Sequence, residues 1–163
     1  MYKHVSYLEK IAKRLKAISH SPTSKAFYSS DSITNLVQLF SSATTAKYPV
    51  LVALDDPSSN DTPEIDAPAT RRFYSFVVIC KPASASTTDA AMAKEEAEVI
   101  ARKIVAKMRH DSLEGCEGFI PGSLEADVSF SSTGRLLNTL QGCMVSFTVN
   151  ESLSYKLDPE DWR

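Results

Sequence analysis

Cys116 has the most nucleophilic potential of any residue in this chain. It sits in Glu114-Gly-Cys-Glu-Gly118, a segment that reads as a loop, with His110 six residues earlier as the available base. A thiol attacks as its thiolate, and a neighbouring imidazole or positive charge must favour that form. Glu114 and Glu117 oppose it instead, so no catalytic Cys116–His110 pair is assigned. Cys80 and Cys143 fall in apolar strand-like runs, where cysteine behaves as a small hydrophobe. With three cysteines widely spaced, there is neither a C-x-x-C pair nor a disulfide framework, and a reducing compartment is expected.

Metal and phosphate chemistry fare no better. His4, His20 and His110 share no ligand spacing. The acids Asp55, Asp56, Asp61, Glu64 and Asp66 cluster in sequence, but lack the central glycine and terminal glutamate of a calcium loop. They read as a solvated acidic loop. The five glycines, at 115, 118, 122, 134 and 142, form no G-x-x-x-x-G-K and no G-x-G-x-x-G, and G-x-S-x-G is absent. The sequence therefore predicts a protein that is not an enzyme and takes no cofactor or metal.

Net charge is −2, yet residues 1–25 hold six Lys/Arg against one acid, Glu9. Such a segment suits either a basic arm or the polar face of a helix, and the second is the simpler reading. It also loosely resembles an organelle transit peptide, but Glu9 and the apolar spacing fit an amphipathic helix better. No apolar run is long enough for a membrane helix, and no nucleic-acid recognition motif is present. Neither a membrane nor a specific nucleic-acid sequence is an expected partner.

The elements that would position these residues follow from periodicity. Val5, Leu8, Ala12, Leu15 and Ile18 recur at helical steps and predict a helix over 2–19, closed by Ser21-Pro22. Asp31 or Ser32 caps a short second helix with Ile33, Leu36, Leu39 and Phe40 on its buried side. Tyr48-Pro-Val-Leu-Val-Ala-Leu54 and Arg72-Phe-Tyr-Ser-Phe-Val-Val-Ile-Cys80 read as strands. The acidic, proline-rich stretch 55–71 between them reads as a long loop. Thr88 or Asp89 caps a helix over 89–109, with Ala93, Ala97, Ile100, Ile104 and Met108 on one face and His110-Asp111 as favourable charge at its end. Leu124, Ala126, Val128 and Phe130 alternate with polar residues, as do Cys143, Val145, Phe147 and Val149. The expected fold is one α+β domain over 1–163: a mostly antiparallel sheet covered on one face by the long amphipathic helix, with N-terminal helices. Residues 131–142 read as a connection whose Arg135, Leu136, Leu137 and Leu140 are candidate interface residues; a short helix packed on the body is the alternative.

This order of elements resembles the tail-terminator, or tail-completion, proteins of long-tailed bacteriophages and related contractile particles. The resemblance covers roughly residues 30–152 and rests on the Tyr48-Pro-Val-Leu strand, the Arg72–Pro82 strand, the spanning helix and the closing Phe147-Thr-Val-Asn-Glu-Ser152 strand. It implies a structural subunit that forms a ring, usually a hexamer, on the tail tube and joins it to the head connector. Its partners would be itself, tail-tube protein and connector protein, first in the cytoplasm of a bacterial host and then in the virion. Sheet edges and loops would make the ring contacts, and the 55–66 acids would face the channel. The alternatives are another adaptor of a phage-like particle, or a small enzyme or ligand-binding domain with a scattered site.

Overall fold

The computed structural model describes residues 2–42, 46–62, 69–136 and 139–152. Among these residues, three helices, α1 (His4–Arg14), α2 (Ile33–Ser42) and α3 (Thr87–Glu114), accompany five strands. These are β1 (Phe27–Ser30), β2 (Val50–Thr62), β3 (Ala69–Cys80), β4 (Leu124–Leu136) and β5 (Leu140–Ser152), in the sheet order β1-β2-β3-β5-β4. Among the described strands, β1–β2, joined through α2, is parallel and the other pairings are antiparallel. The α+β class and the largely antiparallel sheet agree with the sequence reading.

Period-two alternation sorts the strands onto two faces. Leu51, Ala53, Phe76, Val78, Cys80, Val145 and Phe147 join α1 and α3 in the larger core. Val50, Val52, Val77, Ile79 and Leu140 point the other way and form a second cluster with Tyr28, Leu36 and Phe40. Helices thus lie on both faces, with α2 covering part of the side expected to be open. The β2 and β3 runs read as uninterrupted apolar stretches because both their faces are buried.

α3 begins earlier and ends later than expected. Ser86, not Thr88 or Asp89, is its N-cap, with Ser86 Oγ accepting from the Asp89 N–H at 3.1 Å. It runs 28 residues, about 42 Å at 1.5 Å per residue. Gly115 stops it in the left-handed region at φ 67°, donating to the carbonyls of Asp111 and Ser112. A Cβ at Gly115 would come 2.8 Å from Pro121 Cγ, so that position needs glycine for space as well as conformation.

α1 stops at Arg14 rather than near Ser19. Ile18 is nevertheless buried, because the chain folds back and the His20 N–H donates to the Ala12 carbonyl at 3.0 Å. Tyr7, Leu8, Ile11 and Ala12 are buried, so this basic segment is a core helix with a wet, cationic face.

The 55–71 loop is the main correction. β2 continues to Thr62 and β3 begins at Ala69, with Ser58 to Thr62 paired to Phe73 to Ala69. The 131–141 connection is likewise mostly strand, with Arg135 opposite Gln141 and Leu136 opposite Leu140. Gly142 lets these strands approach: a Cβ there would sit 2.6 Å from Thr133 Oγ1.

Candidate interaction surface

β1 pairs with β2 only as far as Leu54. Beyond it the β2–β3 register shifts: Asp55, Asp56 and Pro57 occupy the interval between the Leu54–Ser75 and Ser58–Phe73 pairs. Proline cannot donate to a ladder and is accommodated at such irregularities. β2 then resumes along β3, and β3 pairs with β5 through Ala69–Ser152. The result is a three-stranded ribbon whose β2 residues 55–61 are all exposed. Among the described residues, β2 has no strand on its outer side past Leu54.

Asp55, Asp56 and Asp61 therefore sit on a strand rather than in a loop. The Thr70 hydroxyl donates to Asp61 Oδ1 at 2.8 Å, tying that acid to the neighbouring strand. Glu64 and Asp66 lie outside the described residues. Behind the ribbon, Arg72 Nε lies 3.0 Å from Glu151 Oε2, but without hydrogen-bond geometry. Arg72 Nε and Glu151 Oε1 are both buried with no hydrogen-bond partner among the described residues.

Of the proposed interface residues 135–140, Leu140 is a core residue. It is 4% exposed and packs with Val50, Val77 and Ile79 inside the monomer. Arg135 and Leu136 belong to the end of β4, and Leu137 lies outside the described residues.

The second notable surface lies between α1 and α3, a groove of about 200 Å³. Ile11, Leu15 and Ile104 make its bed, and Arg14, Lys103 and Lys107 its rim. Arg14 bonds Glu117 at 3.2 Å, and Lys10 joins the same carboxylate at 2.6 Å. Lys103 makes no ion pair among the described residues. The helical periodicities of α1 and α3 put these cations off the apolar stripes, but nothing in either periodicity says that the two faces adjoin.

Lys107 also belongs to a buried polar seam. The Tyr7 hydroxyl donates to Asp111 Oδ2 at 2.8 Å, and Lys107 Nζ donates to the other carboxylate oxygen. Burial disfavours the Asp111 charge, but these two hydrogen bonds outweigh it and hold the carboxyl below its usual range. Asp111 is thus a buried link inside α3 rather than the exposed end-of-helix charge expected. Burial drives the Tyr7 hydroxyl well above the ordinary phenol range, with Asp111 adding to the effect. His4 is buried too, with Nε2 donating to the Ser75 carbonyl at 2.8 Å and its ring stacked 4.9 Å from Tyr74. Burial lowers its pKa to about 4, so the imidazole is neutral near pH 7. These groups are saturated by their neighbours, which suits a structural role.

Cys80 and Cys143 are buried as expected, and burial pushes the Cys80 thiol up to about 12. Cys116 is exposed, and its sulfur approaches the Glu114 carbonyl at 3.9 Å. No group of three potential metal ligands occurs among the described residues, and no described helix is long and apolar enough to cross a membrane. Neither a protein-family model nor a curated protein sequence matches the chain.

Proposed function

We propose that this protein is a structural assembly subunit of the tail-terminator kind, forming a ring that caps a tail tube and joins it to a head connector. The observation that carries the reading is the β2–β3–β5 ribbon. Its β2 strand continues for eight residues, Asp55–Thr62, past the last residue paired to β1, and presents an exposed strand to solvent. Maintaining extended backbone with few apolar contacts gains the monomer little, whereas it offers a partner a shaped, charged surface. The helix-on-sheet arrangement also matches the fold that the sequence resemblance implies.

On this reading the protein works by surface complementarity. Unlike patches on successive copies meet head to tail and close into a ring, one face of which stops tube growth. Deleting the gene from the genome that carries it, with electron microscopy of the resulting particles, tests this. Tails of irregular length lacking heads are expected; normal particles would overturn it.

A further inference from the structure

We infer that the α1–α3 groove receives the acidic β2–β3 ribbon of a second copy of this chain. This rests on the assembly reading above and assigns its subunit contact.

The groove has the composition of a receptor for an acidic segment. Its bed is Ile11, Leu15 and Ile104, and its rim carries Arg14, Lys103 and Lys107, with Lys10 beside them. Among the described residues, two carboxylates bond three of these cations: Asp111, occupied by Lys107 and Tyr7, and Glu117, shared by Lys10 and Arg14. A positive balance remains, concentrated at Lys103. Pairing between exposed charges contributes little within a monomer. The same charges gain when an opposing surface excludes water, and they steer encounter at long range.

The ribbon is the complementary object in this chain. Asp55, Asp56 and Asp61 are exposed on it, with no Lys or Arg in β2. A second copy thus supplies the negative charge that the groove's cationic rim would match. Groove and ribbon are different patches, so the contact is head to tail and leaves one of each free for the next copy, as a ring requires. It gives the acids a neighbour to bind rather than a channel to line.

The test is charge reversal with exchange. Full-length Arg14→Glu/Lys103→Glu and full-length Asp55→Lys/Asp56→Lys are each compared with wild type by light scattering over a concentration series at low and high salt. All four positions are exposed, and circular dichroism with thermal melting checks that both variants fold. Each variant alone is expected to associate at least tenfold more weakly than wild type, and an equimolar mixture to recover association. Wild-type association should itself weaken at least tenfold between about 0.05 M and 0.5 M salt as screening shortens the reach of the charges. Wild-type-like association by either variant, or failure of the mixture to recover it, overturns the groove–ribbon contact and leaves the assembly reading standing. A wild-type protein that stays monomeric at millimolar concentration and low salt also overturns it; the gene deletion then decides the assembly reading separately.

Discussion

The seam between α1, α3 and the sheet and the β2–β3–β5 ribbon solve the burial of polar groups in opposite ways. In the seam, Asp111 is 3% exposed and His4 is 4% exposed, and each has its hydrogen-bonding atoms engaged by the chain itself. In the ribbon, the acids of β2 face solvent, while Arg72 and Glu151 behind them keep buried atoms without hydrogen-bond partners. The first arrangement engages its polar groups within the chain, and the second leaves its acids on an exposed strand. Stability and function are therefore expected to separate along this line, and substitutions can test where the boundary falls.

The largest effect belongs to the seam. Asp111→Ala removes a buried acceptor from both Tyr7 and Lys107 and leaves the phenol hydroxyl buried without its partner. A loss of about 3 kcal/mol in unfolding free energy is expected from urea titration. A loss below about 1 kcal/mol would show that the seam is not the stability centre.

Acid should act next, through His4. Its folded pKa of about 4 lies below the ordinary value of 6.5, so the unfolded chain takes up a proton that the folded chain refuses. Stability is then fully present above pH 6.5 and falls as pH drops toward 4, by about 3 kcal/mol at most. His4→Gln should flatten the pH dependence between those limits, as read by melting temperature; an unchanged slope would assign it to other groups. The smallest effect belongs to the ribbon. Replacing Asp55, Asp56 and Asp61 together by Asn should alter unfolding free energy by less than about 0.5 kcal/mol. A larger loss would move the ribbon to the stability side of the division.

What the sequence revealed follows the same division. α3 and the β3 and β5 strands were legible because burial imposed the periodicities that the eye can follow, as in Ala93, Ala97, Ile100 and Ile104. The extension of β2 was not, since Asp55 to Thr62 contain no apolar alternation; their strand state comes from β3, itself held by β5. Leu140 misled because an apolar residue near a hairpin end looks surplus until the cluster under α2 is known. Asp111 had no signal of its own: a buried aspartate has the same letter as an exposed one, and its partner Tyr7 is 104 residues away.

The irregular register at Asp55–Pro57 has a consequence for solubility. A long unpaired strand at a sheet edge is a template on which strands from other molecules can stack without limit. Here the proline and the displaced register interrupt the row of amides, and the adjacent aspartates repel a second strand of like sequence. The displaced register and the charges beside it thus disfavour edge-to-edge stacking of β2 with other strands.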